Sequence, residues 1–284
     1  MIIFLDGKFL PKEDAKISVL DHGFLYGDGV FTTFRTYDGK IFRLAEHIDR
    51  FFESAEIIEL KIPWSKKEIA EWAKETYERN KNEFFDARIR ISISRGVGSD
   101  IPVDYVDSCT PSINIIVSKL PRYDKSAYQK GISLMTYEID RILPKSKNFS
   151  FIASVISTKK AKRSGYWDAL MIDGNGYITE SSTGNVFFVK NNVLFTPARG
   201  VLEGITRKCI LEIAQESGIK HYEEMFRLDK ILDADEVFIT GTTKEILPVV
   251  EINKIKIASG KPGRITVELT KKFKEKIKNF IRQP

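Results

Sequence analysis

Short runs rich in β-branched and aromatic residues alternate along this chain with segments whose apolar residues recur at helical spacing. Ile2 to Leu5 and Lys8 to Leu10 flank the dipeptide Asp6-Gly7, which is typical of a β-hairpin. Ala45 to Ala55 carries apolar residues on one helical face, whereas Ala87 to Arg95 alternates polar and apolar residues as a strand does. This alternation of strands and helices predicts an α/β fold.

Further helices are indicated by local end signals and by apolar spacing. Ser65, followed three residues later by Glu68, has the pattern of a capping box and predicts a helix that runs to about Asn80. We also expect helices from Ser150 to Arg163 and, with a lysine-rich solvated face, from Ile265 to Ile281.

A change of composition near the middle of the chain suggests a domain boundary. Ser118-Lys119-Leu120-Pro121-Arg122-Tyr123 interrupts two strand-like stretches with proline and charge. We therefore predict an N-terminal α/β domain over residues 1–118, a linker over 119–123 and a C-terminal α/β domain over 124–284.

The composition narrows the class of protein. The formal net charge is +6, but the lysines are dispersed and mixed with glutamates, so no nucleic-acid partner is expected. A run of about 18 apolar residues is absent, which argues against a membrane span. The start of the chain has no signal-peptide pattern, and there are only two cysteines, so we expect a cytoplasmic protein.

Several common catalytic patterns are missing from the sequence. It contains no nucleotide-binding glycine loop, no HExxH or CxxC metal motif and no GxSxG nucleophile elbow. The three histidines, His22, His47 and His221, have no metal-ligand spacing, and we interpret them as structural residues.

Five segments stand out in chain order: His22 to Phe31, Glu46 to Arg50, Thr179 to Phe187, Gly204 to Arg207 and Gly241 to Pro248. Together they resemble one enzyme family, the class-IV aminotransferases, which use pyridoxal 5'-phosphate (PLP). The resemblance implies an α/β, two-domain fold of type IV, like that of D-amino-acid aminotransferase. It also implies a homodimer in which an N-terminal loop with Tyr26 and Phe31 contributes to the neighbour's site.

The chemistry of these segments agrees with the needs of PLP, which are a lysine amine, an acid beside the ring nitrogen and an anion site for the phosphate. Ile205 and Thr206 stand at a predicted helix start, where backbone N–H groups point outward and the helix dipole is positive. Thr242 adds a hydroxyl, and Arg50 adds a charge-assisted contact. The resemblance places the carboxylate of Glu180 beside the ring nitrogen.

Two lysines compete for the cofactor aldehyde. Lys145-Ser146-Lys147-Asn148 matches the family pattern Lys-Ser-x-Asn literally when it starts at Lys145. That alignment, however, needs two extra residues inside the following helix, which would turn its buried face by about 200°. Lys147 reaches Glu180 without a gap, so we predict that Lys147 is the catalytic lysine and that Lys145 is more solvated.

Three subfamilies share this fold and cofactor, and they leave the substrate open. The chain resembles branched-chain aminotransferases in its C-terminal half, including Gly241-Thr242. It resembles aminodeoxychorismate lyases, which eliminate pyruvate, at Phe31-Thr32-Thr33. D-amino-acid transaminases have an Arg-x-His carboxylate trap that is missing after Arg95-Gly96, where Val97-Gly98-Ser99-Asp100-Ile101-Pro102 follows.

Arg88 and Arg90 are predicted to point to the same face of one strand, because the strand period is two. Two guanidiniums there suit the carboxylate of an amino acid or a 2-oxo acid. With Tyr26, Phe31 and Thr243 they form the predicted substrate-binding set. The expected reaction is a ping-pong transamination of a branched-chain L- or D-amino acid with a 2-oxo acid. A lyase and a catalytically inactive PLP-binding protein are the alternatives.

Overall fold

The computed structural model describes residues 1–98 and 109–282, which divide by their contacts into two compact units. The first unit comprises Met1–Pro121 together with Lys145–Ser150, and the second comprises Arg122–Pro144 and the chain from Phe151 onward. Ser99-Asp100-Ile101-Pro102, which belongs to the stretch where D-amino-acid transaminases carry their carboxylate trap, lies outside the described residues.

The first unit is an antiparallel sheet covered by helices. In chain order its elements are β1 (Ile2–Leu5), β2 (Lys8–Pro11), α1 (His22–Tyr26), β3 (Gly29–Tyr37), β4 (Lys40–Ile41), α2 (Leu44–Ile57), α3 (Lys66–Asn80), β5 (Ala87–Val97) and β6 (Thr110–Lys119). The strands pair in the order β2-β1-β6-β5-β3-β4.

Alternation along β5 determines which face of this sheet is buried. Ile89, Ile91 and Ile93 are fully buried and belong to the same core cluster as Phe51 of α2 and Tyr77 of α3. The intervening polar side chains lie on the opposite face. The predicted capping box is confirmed, because the side chains of Ser65 and Glu68 each bond the other's backbone at the start of α3.

The second unit has a larger sheet with helices on it. In chain order its elements are α4 (Lys125–Lys130), β7 (Ile132–Glu138), α5 (Ile152–Arg163), β8 (Asp168–Ile172), β9 (Ile178–Ser181), β10 (Asn185–Lys190), β11 (Val193–Pro197), α6 (Ile205–Glu216), β12 (His221–Glu224), α7 (Leu228–Leu232), β13 (Glu236–Gly241), β14 (Glu245–Ile252), β15 (Ile255–Lys256) and α8 (Arg264–Arg282).

The strands of the second unit pair in the order β12-β11-β10-β13-β14-β7-β8-β9, and β15 pairs with β14. Helix α8 is amphipathic as predicted, since it buries Leu269, Phe273 and Ile277 and leaves its lysines at the surface. None of the helices within residues 1–98 and 109–282 is both long and apolar enough to cross a membrane.

The segment Lys145–Ser150 differs from the predicted division of the chain, which placed it in the domain over 124–284. It belongs to the first unit because its backbone pairs with β3: the Phe149 amide donates to the Gly29 carbonyl at 2.8 Å, and Asn148 bridges Val30. For the same reason α5 begins at Ile152 and not at Ser150, the predicted start. The domain limits 1–118 and 124–284 remain a prediction.

Candidate active site

Lys147 is held against β3 by its backbone. Its carbonyl accepts a hydrogen bond from the Phe31 amide at 2.8 Å, and its own amide donates to the Ser54 hydroxyl at 3.1 Å. The neighbouring Ser146 hydroxyl donates to the Ser54 carbonyl at 2.9 Å. These bonds fix the main chain on both sides of the lysine, so its side chain starts from a defined position.

The two candidate lysines differ in their surroundings. Lys145 is exposed, whereas Lys147 is half-buried between the buried residues Ser146 and Asn148. The Nζ of Lys147 lies 4.7 Å from the centroid of the Phe31 ring. A lysine that carries a cofactor has to reach into the protein, so the half-buried position supports the choice of Lys147 over the exposed Lys145.

Arg50 projects from α2 into the buried side of the sheet and is only 7% exposed. Its Nη2 donates to the hydroxyl of Thr32 at 3.3 Å, and the same hydroxyl lies 3.2 Å from Nδ1 of His47. Since the Thr32 oxygen accepts from Arg50, its own proton is available for the histidine, provided that the ring is neutral.

His47 was interpreted from sequence only as a structural histidine, yet it lies in the same polar cluster as Arg50. Burial lowers the pKa of His47 well below its ordinary value, and the charges of Arg50, Lys147 and Arg43 lower it further. A neutral His47 therefore stands beside two cations that the resemblance assigns to the cofactor. Its spacing to Arg50, about one helical turn, is the sequence signal that could have indicated this contact.

Phe31 is buried and contacts two cationic groups. The guanidinium carbon of Arg90 lies 3.7 Å from the ring centroid, in addition to the Lys147 contact. Arg90 donates through Nε to the Ser92 hydroxyl at 3.0 Å, and burial, followed by the charge of Arg88, lowers the pKa of Arg90 to about 10. It stays protonated near neutral pH.

Arg88 and Tyr26 lie nearer to solvent than Arg90 and Phe31. Arg88 is exposed on the polar face of β5 and donates to the Ser118 hydroxyl at 3.2 Å. Tyr26 ends α1, is 45% exposed and meets the His22 ring edge-on at 5.0 Å. Sequence analysis predicted a loop here, but Asp21 caps the Gly23 amide at 2.7 Å and nucleates a short helix.

In the second unit Glu180 lies on β9 and is 4% exposed. Its Oε1 forms a salt bridge with Arg141, and its Oε2 accepts from the Asn185 side-chain amide at 3.2 Å and from the Leu202 backbone at 3.3 Å. These charge-assisted contacts favour the ionised carboxylate. Such a group can keep a neighbouring ring nitrogen protonated.

The sequence analysis did not identify Arg141 as a functional residue. A buried carboxylate needs a cationic or hydrogen-bonding partner, so Glu180 itself was a signal that such a partner exists. Among 45 lysines and arginines, however, no local pattern indicated which one it is.

The start of α6 has the properties of an anion site. Gly204 precedes the helix, has no side chain to cap it and packs so closely that a Cβ there would overlap the Asn185 side-chain oxygen. Ile205 and Thr206, both buried, provide the first backbone N–H groups. The helix start thus offers backbone N–H groups and the Thr206 hydroxyl, and residue 204 has no side chain in front of them. Such a set of donors suits a phosphate.

The turn after β13 carries the other predicted phosphate and substrate contacts. Thr242 and Thr243 are half-buried, and the Thr243 hydroxyl lies 3.2 Å from the hydroxyl of Tyr123. Just before the turn, the buried Thr240 hydroxyl has no hydrogen-bond partner among the residues that the structure describes. A buried hydroxyl without a protein partner is expected to meet water or ligand.

Each unit taken by itself carries groups of the kinds that PLP requires. The first unit provides a positioned amine and a buried guanidinium. The second unit provides an ionised carboxylate and an uncapped helix N-terminus followed by a turn with two threonines. These are the groups that a protein uses to hold and orient this cofactor.

Comparisons with known proteins agree with this donor set. The family model for amino-transferase class IV matches residues 29–252. A Methanocaldococcus jannaschii protein with the provisional name branched-chain-amino-acid aminotransferase is 39% identical, over 97% of this chain and 96% of its own. The D-alanine aminotransferase of Listeria monocytogenes serotype 1/2a is 31% identical, over 98% and 96% respectively.

Solved structures show the same relationship at the level of the fold. The branched-chain amino acid aminotransferase of Escherichia coli is 31% identical, with a TM-score of 0.90 over 96% of this chain and 93% of its own. The branched-chain aminotransferase of Thermoproteus uzoniensis, solved with norvaline, is 30% identical, with a TM-score of 0.89 over 98% and 94%. The chain therefore belongs to the class-IV aminotransferases, a family of PLP-dependent transaminases.

Proposed function

We propose that this chain moves an amino group between a branched-chain amino acid and a 2-oxo acid in two successive half-reactions. The observation that carries the proposal is that the Lys147 amine and the Arg90 guanidinium both lie over the ring of Phe31. A base for the α-proton and a cation for the carboxylate thus stand beside one apolar surface. The branched-chain enzymes among the relatives support the substrate class.

The residues that we propose to hold the cofactor come from the motifs named above. Lys147 would bond the cofactor through its aldehyde, and Glu180, paired with Arg141 and Asn185, would hold the proton on the ring nitrogen. Arg50, the N–H groups of Ile205 and Thr206, and the Thr206 and Thr242 hydroxyls bind the phosphate.

When bound, PLP supplies an electron-withdrawing ring that stabilises negative charge at the substrate α-carbon. Lys147 would act first as a general base and afterwards as a general acid: its Nζ, released when the amino group of the substrate takes its place, would take the α-proton and later give it back. The first transfer would need the amine of Lys147 in its neutral form.

Arg90 is the residue that we propose for the substrate carboxylate, since it is partly buried and its charge is less screened than that of Arg88. Arg88, at the exposed end of the same face, guides the anion inward. Thr243, oriented by Tyr123, and Tyr26 complete the proposed substrate contacts. Phe31 faces Lys147 of its own chain, so we assign it to the site of that chain and not to the neighbour's.

A second candidate is transamination of a D-amino acid. It is favoured by the match to a D-alanine aminotransferase over nearly the whole of both chains. The absence from the sequence of the Arg-x-His carboxylate trap after Arg95-Gly96 is the reason for placing it second.

A half-reaction screen of the holoenzyme tests this proposal. The enzyme is mixed with one donor at a time, L-leucine, L-valine, D-alanine or a simple amine, and release of the oxo product and loss of the visible cofactor absorbance are followed. We expect the branched-chain L-amino acids to react fastest. Reaction with D-alanine alone would replace the proposal by the second candidate. If no donor reacts and the absorbance stays intact, the protein is either a lyase or an inactive PLP-binding protein. A lyase would release pyruvate from aminodeoxychorismate, and an inactive protein would not.

We further propose a homodimer. Large apolar side chains are exposed in and before α1, among them Val19 at 71% and Phe24 at 69%, which is costly for a monomer in water. A second copy of the chain that covers this surface would remove the cost. Light scattering of the wild type and of Phe24→Asp is the test: we expect a dimer for the first and a shift toward monomer for the second.

A further inference from the structure

Lys244 is a buried lysine directly after the Thr242-Thr243 turn, and it has no role in the proposed mechanism. It is 3% exposed, although it lies in the connection between β13 and β14. Removing an ammonium group from water costs several kcal/mol unless partners compensate. Its burial therefore calls for an explanation in terms of its contacts.

The ammonium group is bonded to two other segments of the second unit. Its Nζ lies 2.7 Å from the Thr183 hydroxyl and 3.4 Å from Oδ2 of Asp168. Asp168, at the start of β8, accepts through Oδ1 from the Ser182 hydroxyl and from the Ala169 amide. Lys244 thus ties the turn after β13 to the turn between β9 and β10 and to β8.

The network extends to α5. The Thr158 hydroxyl donates to the Ser182 hydroxyl at 2.7 Å, so helix, strand and both turns are joined through one chain of polar contacts. Asp168 is 3% exposed, so little water can screen its ion pair with Lys244. An interaction of this kind is stronger and more directional than a surface salt bridge.

The two turns are also packed closely in space. A Cβ at Gly241 would lie 3.2 Å from Cγ of Lys244 and 3.3 Å from the Thr183 carbonyl oxygen. The methylene groups of Lys244 therefore pack against Gly241, the residue before Thr242 and Thr243. We expect a change of these methylene groups to affect the position of both threonines.

Stability alone does not explain a lysine at this position. Buried ion pairs replaced by apolar residues of similar volume are often neutral or more stable, so an apolar side chain would serve packing equally well. What an apolar residue lacks is the bond to Thr183, which joins the Thr242-Thr243 turn to the turn between β9 and β10. The pKa of Lys244 is lowered, chiefly by burial, and the charge of Asp168 opposes this effect.

We propose that Lys244 is a positioning residue that holds the Thr242-Thr243 turn in the shape required to bind the phosphate group of the cofactor. The inference rests on the proposed phosphate cup, which is the set of phosphate-binding residues Arg50, Ile205, Thr206 and Thr242. Lys244 makes no direct contact with the cofactor in this role; it acts through the turn. Its removal should therefore weaken binding of the phosphate and leave binding of the ring unaffected.

The test compares PLP with pyridoxal, which lacks the phosphate. Wild type, Lys244→Met and the control Lys190→Met are stripped of cofactor, and the affinity of each full-length chain for both compounds is measured. Lys190 is a suitable control because it is a partly exposed lysine of the same unit, paired with Asp233 at 3.0 Å. We expect Lys244→Met to lose about tenfold or more in PLP affinity, and to keep its pyridoxal affinity within about twofold. Lys190→Met should change neither.

Four results would overturn the inference. Equal losses for PLP and pyridoxal, or a lower melting temperature with unchanged PLP affinity, would show a purely structural role for Lys244. If Lys244→Met does not fold, Thr183→Val tests the same link more mildly, and an unchanged ratio of PLP to pyridoxal affinity in that variant would contradict it. A wild-type chain that does not bind PLP would overturn the proposed cofactor site as well as this inference. Each of the other results would overturn this inference alone, so the two failures can be distinguished.

Discussion

The amine of Lys147 lies 4.7 Å from the centre of the Phe31 ring, and the backbone amide of Phe31 donates to the carbonyl of Lys147 at 2.8 Å. The same pair of residues therefore fixes both the main chain and the side-chain environment of the proposed catalytic lysine. Lys145, two residues earlier, is exposed.

This relationship predicts different outcomes for the two lysines. Lys147→Ala should abolish both the visible absorbance of the lysine-bound cofactor and transamination, because the amine that bonds the aldehyde is lost. Lys145→Ala, the matched control, should keep both. Absorbance spectra and oxo-acid release measure the outcome. Borohydride reduction and peptide mapping give an independent answer, and a label on Lys145 would show that the literal motif match was the correct alignment.

The phosphate cup predicts a loss of cofactor affinity on truncation. Arg50→Ala and Thr242→Ala should each weaken PLP binding by about 1–3 kcal/mol, the range for a lost hydrogen bond to a charged group. Titration of the stripped proteins with PLP measures this loss. Thr270→Ala is the control, since that hydroxyl only bonds a carbonyl within α8. Unchanged affinity in both cup variants would mean that the phosphate binds elsewhere.

The buried pair of Arg141 and Glu180 predicts a strong dependence of stability on the arginine. Arg141→Met leaves a buried carboxylate without its cation and should lower the free energy of unfolding by about 3–5 kcal/mol. Denaturant unfolding of the cofactor-free protein is the measurement. The double variant Arg141→Met with Glu180→Gln should recover much of the loss, because no buried charge is then unpaired. Additive losses would refute the coupling.

His47 predicts a pH dependence of stability. Its pKa is lower in the folded chain than its ordinary value of 6.5, chiefly through burial and then through Arg50. Below about pH 6.5 the unfolded chain therefore binds a proton that the folded chain does not. The stability should thus fall as the pH drops from about 6.5 toward the folded pKa, by up to about 1.4 kcal/mol per pH unit.

His47→Gln should remove this part of the slope, since a glutamine does not titrate and can still bond Thr32. Unfolding free energies measured between about pH 5 and pH 7 test the difference. An identical slope in the wild type and the variant would contradict the assignment of the slope to His47.

Much of the local structure, the family and its cofactor could be predicted from sequence. The capping box of Ser65 and Glu68 depends on residues three positions apart, so the pattern itself contains the interaction. The burial of Ile89 and Ile91 follows from strand alternation in the same way. The five family segments indicated the cofactor, and the phase of one helix favoured Lys147 over Lys145.

The partners of the buried polar groups were decided only by the tertiary structure. Glu180 could be named from sequence but its partner Arg141 could not, and neither could the contact of Lys244 with Asp168, because the two members of each pair are distant along the chain and only the fold brings them together. Likewise Lys145–Ser150 joined the first unit through hydrogen bonds to β3. Helix and strand patterns arise from neighbours along the chain, whereas a buried charge is stabilised by whichever residue the fold places beside it.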